Sequence, residues 1–177
     1  KKNPRLRCKF SMWRNWLPKK FTNSMHRKFV CFLLLGLAML QGVTACRAEP
    51  RVTIATQQGR TIAFNVEIAD SPAKRELGLQ YRRDLASDHG MIFLFPAQSE
   101  QTFWMKNTPI PLDMIFISRE LKIVGIVEQA TPFSLDPRSV GAPSQYVLEI
   151  NGGLAKRNRI RRGDSVSFEG IPSRGRD

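Results

Sequence analysis

The chain has 177 residues, with 28 Lys and Arg against 15 Asp and Glu, a formal net charge of +13. Residues 1–45 hold ten of those basic residues and no acidic one, so the remaining 132 carry 18 against 15, a net of +3. The charge belongs to a leader, which removes the case for a nucleic-acid-binding protein, and 132 residues make one domain with a proper core but not two.

Residues 29–40 run twelve positions without a charge, after Met25-His26-Arg27-Lys28 and before Gln41-Gly42-Val43-Thr44-Ala45-Cys46. A short basic region, an apolar stretch and a small-residue exit form the pattern of a secretory signal peptide. The stretch is shorter than the roughly 20 residues of a membrane-spanning helix. Met25 is the expected start, with Met12 the alternative. Val43-Thr44-Ala45-Cys46 resembles the bacterial lipobox, although the same residues suit ordinary signal peptidase cutting after Ala45 or Ala48. Lipidation at Cys46 is the reading taken, because Cys46 is the one cysteine beyond the apolar stretch. Cys8 and Cys31 leave with the leader. The mature domain is then expected to have no disulfide, thiolate nucleophile or zinc cluster, and to sit on a bacterial membrane on the periplasmic or extracytoplasmic side.

Residues 46–51 form a tether, and a single domain is expected over 52–169 with a flexible tail over 170–177. Val52 to Thr56 and Thr61 to Ala69 read as a hairpin turning at Gln57-Gln58-Gly59-Arg60. In the second strand Ile62, Phe64, Val66 and Ile68 alternate inward. Ser71-Pro72 is an N-cap with proline at the first helical position, predicting a helix through about Gln80. Further strands are predicted at Met91 to Phe95, Gln101 to Lys106, Leu112 to Ser118, Lys122 to Glu128, Gln145 to Ile150 and Ser165 to Glu169. A short helix is predicted near Leu154 to Asn158. The expected fold is all-β: a compact sandwich or barrel of about eight short strands with two short helices.

Elimination narrows the chemistry. His89 is the one histidine beyond the leader, and its neighbours Ser87 and Asp88 make an exposed turn rather than a relay. Zinc sites want several His or Cys ligands, and no glycine-rich loop has phosphate-binding spacing. No cofactor is indicated. Carboxylate chemistry through Glu67, Asp113 or Glu149 stays open. The informative stretch is Phe103-Trp104-Met105-Lys106-Asn107-Thr108-Pro109-Ile110-Pro111-Leu112-Asp113. It joins the one tryptophan beyond residue 45 to a cation, an amide and an acid. Asp113 opens a strand apolar on both faces, so it needs a partner. Lys106, Arg75 and the Asn107 amide are the candidates. The structural alternative makes these pairs a brace and Trp104 a core anchor.

The same residues carry a resemblance. Gly90 to Phe95, Phe103 to Thr108, Ile110 to Phe116, Tyr146 to Glu149 and Gly163-Asp164 resemble the domain-of-unknown-function family 192. The Glu67 to Leu79 region, with Arg75 and Gly78-Leu79, is similar too, and the likeness runs from about Phe64 to Val166. Gln80 stands where that family suggests a methionine, and Asn158-Arg159 where it suggests a glycine-bearing turn. The resemblance implies a compact β domain, often exported, with no established activity.

Three functions are compatible with these residues. The first is a non-catalytic module binding a small molecule, glycan or peptide in a groove of Trp104, Lys106, Asn107, Asp113 and Arg75. It would be held to the membrane by a lipid on Cys46, with no nucleic-acid partner. The second is a carboxylate-dependent hydrolase of cell-envelope material. The third is a structural or assembly module. Two facing carboxylates would favour the hydrolase, an exposed Trp104 beside Lys106 would favour binding, and burial of both would favour assembly.

Overall fold

The structure, a computed structural model, describes residues 49–172. The leader, Cys46 and the last five residues of the tail lie outside the described residues. Seven strands form one sheet: β1 (Arg51–Ala55), β2 (Thr61–Ala69), β3 (His89–Glu100), β4 (Leu112–Ile117), β5 (Ile123–Ala130), β6 (Pro143–Asn151) and β7 (Ser165–Glu169). Two short helices accompany them, α1 (Pro72–Leu77) and α2 (Leu154–Asn158). The strand order is β5-β4-β6-β3-β2-β1-β7. All neighbours are antiparallel except β2 and β3, which run parallel through the crossover that contains α1.

The sheet curls until its two edges touch. Lys122 and Ser165 form a bridge between them, and the Val166 amide donates to the Leu121 carbonyl at 2.9 Å. The fold is therefore the barrel-like form of the expected all-β class. One predicted strand is absent. Gln101 to Lys106 contributes a single bridge, Phe103 with Arg138, and otherwise crosses the outer face of the sheet.

The curl creates two cores. Inside lie Val52, Ile54, Phe64, Ile92, Leu94, Ile115, Ile117, Leu148 and Ile150, among others. Outside lie Leu79, Met91, Phe93, Met105, Leu112, Met114, Phe116 and Val147, covered by the α1 crossover and the loops after β3 and β5. This explains why β4 is buried at every position: both of its faces are core faces. A strand buried on both sides reads as an unbroken apolar run.

Local chemistry sets the ends of α1. The Ser71 side chain accepts from the Lys74 amide at 3.3 Å, and Pro72 occupies the first turn. Gly78 stops the helix with φ 49°, two residues before the predicted end, and its amide donates to the Lys74 carbonyl. After α2 the capping residue is Arg159 at φ 59°. An arginine there takes a conformation that glycine adopts without penalty, at the turn where the family resemblance suggests glycine.

Close approach explains Gly90. A Cβ on this residue would stand 2.5 Å from the Glu149 carbonyl oxygen and 3.1 Å from Ile150 Cγ2. Gly90→Ala should force β3 and β6 apart and cost about 2–3 kcal/mol. Thermal melting of the variant checks this; an unchanged melting temperature would contradict the tight β3–β6 packing.

Candidate functional site

A cavity of about 230 Å³ lies between the end of α1 and the Thr102 to Thr108 segment. Phe93 and Phe95 of β3, Leu79 and Phe103 supply its apolar walls. The rings of Phe93, Phe95 and Phe116 each meet Phe103 edge to face, at 5.0, 6.2 and 5.9 Å between centroids. Phe103 is thus the keystone that holds the crossing segment on the sheet. Met105, fully buried two residues later, anchors the same segment.

The predicted site residues divide here. Trp104, Lys106 and Arg75 line the cavity. Trp104 is 56% exposed, with the Lys106 ammonium 5.8 Å from its ring centre. Trp104 is therefore not the core anchor of the structural alternative. Arg75 is occupied: it donates to the Asp70 and Leu94 carbonyls, both at 3.0 Å, and its guanidinium lies 5.4 Å over the Phe95 ring. It ties α1 to β3 and forms one wall.

Asn107 stands beside the cavity rather than in it. Its φ is 54°, its side-chain amide donates to Gln80 Oε1 and Tyr81 Oη, and its carbonyl accepts from the Tyr81 amide. Tyr81 and Phe133 also have positive φ, at 63° and 60°. Phe133 bonds through its amide to the Thr108 carbonyl. Three loops therefore meet in left-handed conformations that cost free energy in non-glycine residues, and such positions cluster at functional sites. The exposed side chains of Tyr81 and Phe133, with Asn107, Arg83 and Pro109, shape a neighbouring shallow depression.

Asp113 requires a correction. It is fully buried, but its partner is neither Lys106, Arg75 nor the Asn107 amide. Its oxygens accept three backbone N–H groups, from Gln129 at 2.8 Å, Gly153 at 2.9 Å and Ala155 at 2.7 Å. Two of these belong to the start of α2, where Gly153 at φ 85° has no side chain to cap the helix. The cap comes from a strand instead. Asp113 is a structural acceptor and takes no part in the groove.

Glu149 takes the place in the cavity that the sequence reading gave to Asp113. It lies on β6 between Met91 of β3 and Met114 of β4, facing the outer core. It lines the cavity, is 4% exposed, and its carboxyl has no hydrogen bond or ion pair among the described residues. Burial pushes its carboxyl up to about 8. The sequence alone leaves Glu149 as one of three acids, with Glu67 and Asp113, open to carboxylate chemistry. Its position inside Tyr146-Val147-Leu148-Glu149-Ile150, an otherwise apolar run, is the signal that could have placed it here.

The three candidate acids do not share a cleft. Glu67 pairs in register with Met91, so it lies roughly 10 Å from Glu149 across the sheet. It is salt-bridged to Arg82 at 2.6 Å and opens onto a different cavity. That second cavity is larger, about 580 Å³. Its charges are already paired, Glu67 with Arg82 and Lys74 with Asp70.

The comparisons agree with the fold and leave the site unassigned. The family model DUF192, described as "Uncharacterized ACR", matches residues 53–168. The chain belongs to the DUF192 family. A solved structure from Sinorhizobium meliloti 1021, provisionally named a transcription regulator, is 43% identical with a TM-score of 0.67, covering 71% of this chain and 97% of that one. A protein of unknown function from Novosphingobium aromaticivorans DSM 12444 is 40% identical with a TM-score of 0.64, covering 66% and 83%. No curated protein matches. The match from Thr53 to Phe168 takes in every residue of the cavity, so the site belongs to the DUF192 domain itself.

Proposed function

We propose that this DUF192 chain is an exported, lipid-anchored module that binds a small molecule without transforming it. The observation that carries the binding half is Glu149, a buried carboxyl without a partner opening into a cavity rimmed by an exposed tryptophan. A buried polar group left unsatisfied costs free energy. A ligand that pairs with it recovers that cost, whereas a structural module has no use for it. The cavity lies below the roughly 300–1,000 Å³ of pockets for drug-sized ligands, which fits one small molecule rather than a polymer segment. Glu67 and Glu149 open into separate cavities and Asp113 is bonded to backbone N–H groups, which weighs against a paired-carboxylate hydrolase.

The export half rests on the leader and the Val43-Thr44-Ala45-Cys46 exit. Several acyl chains on Cys46 would hold the domain stably at a membrane, where a single chain gives marginal binding. Two measurements test the two halves. Cys46→Ser should move the protein from the membrane to the soluble fraction of bacterial cells; a variant that sediments as the parent does removes the anchor. Trp104→Ala should melt within about 2 °C of the parent, because the side chain is mostly exposed, while losing small molecules that co-purify with the parent in native mass spectrometry. Identical ligand content in both would remove the binding half.

A further inference from the structure

We infer that the cavity takes a small zwitterion, with its ammonium group against Glu149 and its anionic group at the mouth beside Lys106. The inference rests on the binding role proposed above and names its ligand class.

Glu149 is the buried acid of the cavity and its surroundings are aromatic. The Gln80 and Thr108 side chains on the lining are already engaged, Gln80 with the Glu76 carbonyl and the Asn107 amide, Thr108 with the Lys106 carbonyl. Glu149 is flanked by Met91 and Met114 on the sheet, and Phe93, Phe95 and Phe103 form the walls. A sugar brings several hydroxyl groups, each needing a partner, and aromatic walls offer none. A single ammonium is satisfied by a carboxylate together with ring faces, which attract cations through their quadrupoles. The mouth has the opposite character. Lys106 is exposed, lines the opening and has no ion pair among the described residues. Its ammonium lies over the Trp104 ring. A simple amine would pass this cation at a loss, whereas a molecule carrying its own carboxylate or phosphate would gain from it. Glu76 and Arg75 are the other charged groups on the lining. Arg75 is tied down by two backbone carbonyls, so Lys106 is the mouth cation free to move to an anion.

Protonation gives the site a signature. Burial holds the Glu149 carboxyl protonated to about pH 8 in the empty cavity. It must release that proton to pair with an ammonium, so binding should tighten as pH rises from 6 to 8.

The experiment is isothermal titration calorimetry of the full chain with the twenty free L-amino acids. The best binder is then compared with its decarboxylated amine, its N-acetyl derivative, glucose and N-acetylglucosamine. The expected result is that N-acetylation and Glu149→Gln each weaken binding at least tenfold. Decarboxylation and Lys106→Met should each weaken it several-fold, without a further loss when combined. Affinity should rise between pH 6 and pH 8 in the parent and stay flat in Glu149→Gln, whose fold is verified by melting. Affinity within twofold of the parent on N-acetylation and in Glu149→Gln would overturn the ammonium assignment while leaving a binding module. Binding of a neutral sugar in preference to every amino acid would do the same. An amine that binds as well as its amino acid would overturn the anionic half. Absence of heat with every probe, together with no co-purified molecule, would end both the inference and the binding role.

Discussion

Asp113→Asn should lower the stability of the domain by about 2–4 kcal/mol, although the side chain keeps its shape. The carboxylate accepts three backbone N–H groups, two on one oxygen and the third, from Ala155 at 2.7 Å, on the other. Asparagine has one oxygen to offer, and its NH₂ group would then point at an N–H donor. Asp113→Ala goes further and leaves all three donors without their acceptor, for about 3–5 kcal/mol or more. In a domain of this size each kcal/mol moves the melting temperature by several degrees. A loss of at least 8 °C is therefore expected for either variant, with alanine the worse. Lys106→Met, by contrast, should melt close to the parent, since Lys106 is exposed and pairs with no acid. Equal losses for Asp113→Asn and Lys106→Met would restore the ion pair that the geometry rejects.

Glu149→Gln should do the opposite and stabilise the domain in alkaline solution. The folded state holds the Glu149 carboxyl at about 8, above the 4.5 of an ordinary glutamate. Between those values the folded protein binds a proton that the unfolded chain has released. Stability must therefore fall as pH rises from about 4.5 to about 8, and level off above. The raised value corresponds to on the order of 5 kcal/mol across that window. Glutamine has the same shape and no charge, so its variant should match the parent near pH 5 and exceed it at pH 9. The other charged groups lining the cavity, Arg75, Glu76 and Lys106, are unchanged in the variant and act as an internal control. Melting curves at pH 5, 7 and 9 check the sign. Parallel profiles for the two proteins would show that Glu149 is not the titrating group.

What the sequence disclosed follows from how local each feature is. The alternation of β2 and the Ser71-Pro72 start of α1 are written within a few residues, and both appear in the structure. Gln101 to Lys106 alternates just as well, yet forms no strand. Phe103 and Met105 point into the outer core instead, and periodicity cannot tell a segment in a sheet from one lying across it. The burial of Asp113 was legible from the apolar run around it. Its partners were not, because Gln129, Gly153 and Ala155 lie 16, 40 and 42 positions away and act through backbone atoms that every residue possesses. Glu149 failed for another reason. Its strand signalled burial as clearly as that of Asp113, but only the curl of the sheet decides which buried acid faces a cavity.

The first and last strands of the domain lie side by side in antiparallel register, with Arg51 opposite Glu169. Paired residues of this kind have Cα atoms roughly 5 Å apart. A loop of a few residues could join these two ends without disturbing any strand pairing. The domain is thus topologically almost a ring, suited to circular permutation or to insertion within another chain, with both junctions at one corner of the sheet. The cavity is built elsewhere, from the middle of the sheet, the α1 crossover and the segment after β3. A host protein could therefore acquire the domain without rebuilding the site.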